Sequence, residues 1–264
     1  MSLEQIPHRR NLEFPFHCTG RVQTAYSVIV FTGNTHGNTG GDPSKDYYGI
    51  LFAGLSTTND TLVIDNCTFA YNINRTGTAF HAYKGRFTVR NSVFHANVTS
   101  SSAEHGADIS CRTNATVDIS YTMFDENSES CFSVQEGGSV NIGKGCIFRD
   151  PLLVTSTESF QAKTGNTSIP YGSGTFSSIA DRLSLNVHLR GGRGYYNQVT
   201  GVLNTDYSRG IDSPALDSGD PSSDYSLEPN TRQGCHGNRI NMGAYGNTPW
   251  ATMTVRPGSA IWIR

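Results

Sequence analysis

The sequence predicts an all-β chain wound as a parallel β-helix, a solenoid in which each coil stacks on the one before. Three observations point there. Of 264 residues, 36% are hydrophobic and 16% charged, with 28 glycines, a composition suited to turns and short strands rather than amphipathic helices. A segment with the same apolar pattern recurs four times in the first 150 residues. Each recurrence carries a Phe, followed at nearly fixed spacing by Asn or Asp.

The four copies are Leu62–Asn72, Phe87–Asn97, Val117–Asn127 and Val140–Asp150, whose starts advance by 25, 30 and 23 residues. Each opens apolar–x–apolar, reaches Phe69, Phe94, Phe124 or Phe148, and closes three residues later, or two in the last copy. A fainter copy precedes them with Phe31 and Asn34. Alternation of period two buries one face of a strand and wets the other. A unit this short buries its apolar face only against neighbours, which is the logic of a solenoid.

In that arrangement Leu62, Phe87, Val117 and Val140 form one interior column, and Ile64, Val89, Ile119 and Ile142 a second. Phe69, Phe94, Phe124 and Phe148 form an aromatic column, and Asn72, Asn97 and Asn127 a ladder of side-chain amides. A further strand is expected ahead of each later copy, at Ala79–Ala82, Ala107–Ser110 and Cys131–Val134. A β-sandwich also spaces short strands regularly, but it gives no reason for the repeated Phe-x-x-Asn register. Residues 33–49 and 98–106 interrupt the coils as polar insertions, expected to be loops on one side.

The net charge is −2, so nothing marks a nucleic-acid or anionic-membrane partner. No apolar stretch approaches the roughly 18 residues that cross a bilayer as a helix. Met1-Ser2-Leu3 has none of the character of a signal peptide. Cys18, Cys67, Cys111, Cys131, Cys146 and Cys235 include no CxxC pair and no zinc spacing. Their even number permits disulfides, and Cys67 and Cys146, inside strand-like runs, read as buried free thiols.

After Asp150 the pattern changes, so residues 1–150 read as coils and 151–264 as the last coils with a C-terminal cap of the same domain. This stretch contains Asp150-Pro-Leu-Leu-Val154, Val187-His-Leu189, Ser213-Pro-Ala-Leu-Asp-Ser-Gly-Asp-Pro221 and Asn238-Arg-Ile-Asn-Met-Gly-Ala-Tyr-Gly246. The layout resembles a large group of exported bacterial right-handed β-helix proteins, akin to the polymorphic outer-membrane type. The resemblance spans roughly Cys18 to Pro249, and the tail motifs are its specific part. Leu153 departs from the Phe usual there, and Arg232–Gly237 is a longer insertion. What the resemblance implies is a right-handed, single-stranded β-helix outside the cell or at its surface, with a loop-rich capping region. It implies no single activity.

An open solenoid end exposes unpaired backbone, and the tail is expected to cover it. Asp217, Asp220, Asp224 and Arg239 read as a polar network holding that cap; Ca²⁺ bound by Asp217, Asp220 and Asp224 is the alternative, although no EF-hand spacing is present. Polysaccharide lyases need a base and a cation at the sugar carboxylate, and glycosidases need two facing carboxylates. Outward positions on the leading strands include His81, Tyr83, Asp108, Ser110, Arg112, Ser133 and Gln135. Of these, His81, Tyr83, Asp108 and Arg112 are expected to form one exposed glycan-contacting patch, and solvated side chains on a wet face are the plainer reading. His95, Asp125, Glu126 and Arg149 project from another edge. Gly191-Gly-Arg-Gly194 reads as a turn, since no Lys-Ser/Thr follows. The expected role is a non-catalytic extracellular or cell-surface domain for display, adhesion or glycan contact, with no certain cofactor. A pectate-lyase-like lyase or glycosidase, and a non-catalytic fragment of a larger exported enzyme, are the alternatives.

Overall fold

The structure, a computed structural model, describes residues 16–20, 24–27, 29–36, 51–55, 57–74, 78–99, 107–125, 128–166, 169, 174–205, 211–229 and 238–254. The chain is mostly β and forms a parallel β-solenoid. The first rung comprises β1 (Phe16–Gly20), β2 (Thr24–Ser27), β3 (Val30–Thr32) and β4 (Thr35–His36), and the second β5 (Leu51–Leu55), β6 (Thr61–Asp65), β7 (Thr68–Ala70) and β8 (Ile73–Asn74). The third holds β9 (Phe80–Arg90), β10 (Val93–His95) and β11 (Val98–Thr99), and the fourth β12 (Ile109–Ser120) and β13 (Met123–Phe124). After the one-turn helix α1 (Ser128–Cys131), the last rung is β14 (Phe132–Val134), β15 (Ser139–Ile142) and β16 (Ile147–Phe148).

Like strands stack in parallel into three sheets. The largest runs β1-β5-β9-β12-β14, with β2, β6 and β15 continuing it; the second runs β3-β7-β10-β13-β16, and the third β4-β8-β11. The expected columns are in register: Leu62 pairs with Phe87, Phe87 with Val117 and Val117 with Val140, while Ile64, Val89, Ile119 and Ile142 follow beside them. Phe31, Phe69, Phe94, Phe124 and Phe148 lie face to face in one file, centroids 4.5, 4.7, 5.1 and 5.6 Å apart. Those separations begin at the spacing of neighbouring strands, so the rings stack because the backbones do.

Two of the expected leading strands fuse with the strands that follow. β9 and β12 each run unbroken through a bend at Lys84-Gly85 and Thr113-Asn114, all four with positive φ. Gly85 is required here: φ is +106°, and a Cβ would meet Leu55 Cδ1 at 2.5 Å. The second, third and fourth rungs then turn their corners on left-handed residues, Asn66, Asn91 and Tyr121, with φ between 44° and 49°. Asn tolerates that conformation better than most side chains.

The tail runs through α2 (Thr157–Thr164), α3 (Ile179–Leu183) and the antiparallel pair β17 (Tyr195–Tyr196) and β18 (Leu203–Asn204). It is loop-rich as expected, but it lies along the side of the stack rather than over the open end at β14–β16. Val93 and Met123, next to the inward Phe94 and Phe124, turn outward and join Tyr71 and Tyr121 in a second buried cluster. Phe160, Leu185, Val187, Leu189, Leu216 and Met242 of the tail complete it. The corner side chains hold the tail. Asn66 Nδ2 donates to the Asn241 and Gly243 carbonyls, Asn91 Oδ1 accepts from Asp220 N at 2.7 Å, and Arg239 lies 5.6 Å over the Tyr121 ring. At the end of the stack Ile142 is 47% and Val134 48% exposed, and among the described residues no strand pairs with the outer edges of β14, β15 and β16.

Cys67, Cys111, Cys131 and Cys146 form no disulfides, and burial pushes Cys67 up to about 12 and Cys111 to about 11. Cys67 and Cys111 are therefore packing residues with little thiolate. The Cys18 side chain, Cys235, Glu126, Asn127 and Arg232–Gly237 lie outside the described residues. Among the described residues no helix is long and apolar enough to cross a membrane.

Candidate functional site

The outer face of the largest sheet divides the expected patch in two. Register sets Tyr83 opposite Arg112, and His81 opposite Ser110. Tyr83 is 40% exposed and Arg112 half-buried, but His81 and Asp108 are each only 3% exposed. An exposed patch of all four residues is therefore corrected to a surface around Tyr83 and Arg112. His81 remains part of it as a support, its ring nearly parallel to Tyr83 at 6.4 Å. Arg112 donates to Gln135 Oε1 on the next rung, so Tyr83, Arg112 and Gln135 form a row along the stack. An aromatic face beside a guanidinium and a carboxamide offers a stacking plane and donors for sugar hydroxyls.

Asp108 is buried for a different reason. Asn34 Nδ2 donates to Asn72 Oδ1 at 3.0 Å, Asn72 Nδ2 to Asn97 Oδ1 at 2.8 Å, and Asn97 Nδ2 to Asp108 Oδ1 at 2.8 Å. Each middle amide also donates to the carbonyl of a stacked Phe, Asn72 to Phe31 and Asn97 to Phe69. The ladder thus ends on a carboxyl whose pKa burial raises to about 7, with the Asp125 charge adding to the rise.

His95, at the end of β10, is 3% exposed and bonds through Nδ1 to Asp125 Oδ1 at 2.5 Å, while its Nε2 lies 3.3 Å from Thr157 Oγ1. Asp125 Oδ2 accepts from Ala96 N, which fixes the carboxylate against the corner. Burial pulls the imidazole towards neutrality, but Asp125, through its charge and hydrogen bond, with Asp150 and Asp108 behind, holds its pKa above 6.5. Beside it is a cavity of about 210 Å³ lined by His95, Asp150, Leu152, Leu153, Thr155, Ser156, Glu158 and Arg190. Hydrogen bonds from its own backbone and Ser156 lower the Glu158 pKa, and Arg190 Nε donates to the Leu153 carbonyl. The pocket therefore presents a proton donor, a guanidinium and two carboxylates.

The sequence named His95 and Asp125 but missed Glu158 and Arg190. These two reach the pocket from the tail, 63 and 95 residues beyond His95, with no local motif to announce them. Arg149, expected at the same edge, is exposed and is not among the residues lining the pocket.

Asp220 and Asp224 cap their own turns, accepting from Ser222 N and Oγ and from Ser226 N and Oγ. Arg239 donates to the Ser218 and Gly219 carbonyls. Among the described residues no three His, Cys, Asp or Glu side chains gather as a metal-holding group, so Asp217, Asp220 and Asp224 are not brought together as calcium ligands.

Comparison with protein-family models, curated proteins and solved structures finds no match. Fold and site define the class of protein as a parallel β-solenoid with a loop-rich tail clasped to its flank.

Proposed function

We propose that the chain is a non-catalytic, right-handed β-helix domain, exported or displayed at a cell surface, whose outer wall contacts glycans. The observation that carries this reading is the row of Tyr83, Arg112 and Gln135 in adjacent rungs, with Tyr83 exposed over a buried His81. A flat wall of this kind suits a chain-like ligand running along the stack, whose successive sugars meet successive rungs. Binding of the purified protein to a glycan array, repeated with Tyr83→Ala and Arg112→Ala, tests it. Binding lost in both variants supports the reading. Binding indifferent to both, or no binding to any glycan, defeats it.

A second reading rests on the cavity at His95. An imidazole backed by Asp125, with Asp150, Glu158 and Arg190 around one small polar space, has the parts of acid–base chemistry on a single sugar unit. It predicts turnover of a polysaccharide, read as new reducing ends or ultraviolet-absorbing unsaturated product, that disappears in His95→Gln.

A further inference from the structure

We propose that the open end of the solenoid is a self-association surface, on which β15 pairs antiparallel with β15 of a second copy of this chain. The last rung leaves interior-column side chains uncovered: Ile142 is 47% exposed, and Val140 and Phe148 are only partly buried. Gly143 N donates to the Ile119 carbonyl, and the Ser139 carbonyl accepts from Cys111 Sγ, so the odd-numbered residues of this stretch direct their backbone groups into the stack. By the alternation of a strand, Val140 and Ile142 direct theirs outward, towards an edge that no described strand occupies.

The sequence around Val140 is self-complementary about that residue. Gly138 and Ile142 flank it at two residues on either side, and Glu136 and Lys144 at four. In an antiparallel pair centred on Val140, Ile142 of one copy meets Gly138 of the other, where no side chain competes for space. Glu136 meets Lys144 of the second copy, and the two-fold axis repeats both contacts. A parallel pairing would instead set Glu136 against Glu136 and Lys144 against Lys144. Charge therefore favours the antiparallel over the parallel pairing of the two β15 strands. Both charged side chains are exposed; Glu136 already accepts from Thr113 Oγ1, and Lys144 rests 5.5 Å over the Tyr121 ring, so each is held near the rim of the end face.

Sedimentation equilibrium of the whole chain, with amide exchange at Val140 and Ile142, tests the proposal. The expected result is a reversible dimer in which protection of those two amides rises with protein concentration. Glu136→Lys and Lys144→Glu singly should weaken it about tenfold, the double reversal should restore it, and Val140→Arg should give a folded monomer. A monomer at every concentration overturns the proposal, as does a dimer indifferent to both single reversals. Protection of Val140 and Ile142 in the monomer overturns it as well, since another segment of the same chain would then fill the edge.

Discussion

Asn97 donates its side-chain amide to Asp108 across 2.8 Å, and the column of stacked asparagines gives way there to an ionisable group. Asp108 is 3% exposed, and its pKa stands at about 7 against an ordinary 3.8. The folded chain therefore keeps a proton that the unfolded chain has released, so this group's contribution falls as pH climbs from about 4 to about 7 and stays low above that.

Asp108→Asn keeps the oxygen that Asn97 needs and removes the charge. Above pH 7 the variant should be more stable than the wild type by ~4 kcal/mol, with the gap closing towards pH 4. Urea unfolding across that range measures it. Glu228, also raised to about 7 by burial, titrates in the same window, so part of the pH slope should survive the substitution. A variant less stable than the wild type at pH 8 would refute the assignment.

The stacked phenylalanines should not be equal. Phe94 is fully buried between Phe69 and Phe124, and Phe94→Ala should cost ~3–5 kcal/mol. Phe148, at the open end and only partly buried, should cost clearly less when truncated. Denaturant titration of the two variants reads the order, and the reverse order would contradict the stack.

His95 should titrate above 6.5 in the wild type, because the Asp125 carboxylate outweighs the cost of burying the cation. Its stabilising pair with Asp125 is present at acid pH and lost as pH rises through that elevated pKa. In Asp125→Asn the balance reverses and the imidazole should titrate below 6.5. Proton NMR of the His95 ring follows both.

Asn91 has two tasks, turning a corner at φ 49° and holding Asp220 and Ser223 of the tail. Asn91→Gly keeps the turn and removes the grip. Amide exchange should therefore accelerate across residues 211–229 while β9 and β10 stay protected. Asn91→Ala loses both functions and should cost roughly 1–2 kcal/mol more than the glycine variant.

The interior was legible because a solenoid sets like on like, and a repeated identity such as Phe69, Phe94 and Phe124 is the signature of one column. The corner at Asn66 and Asn91, just after their strands, was not read from the sequence, because Tyr121 at the equivalent place hides the pattern. The flank was harder to read. Val93 and Met123 look like extra core residues until the tail that follows Asp150 is known to cover them. His81 and Asp108 alternate as outward residues should, and alternation gives the direction of a side chain without saying what lies on top of it. Asp108 also belongs to a ladder that the repeat assigns to asparagine, so no periodicity could place it there.

The grip of Asn66, Asn91 and Tyr121 on a single tail has a mechanical consequence. Rungs that touch only their neighbours can fray one at a time from either end, but a splint fastened to three of them in turn makes their melting a shared event. Peeling off that splint would convert a cooperative block into a row of weakly coupled layers.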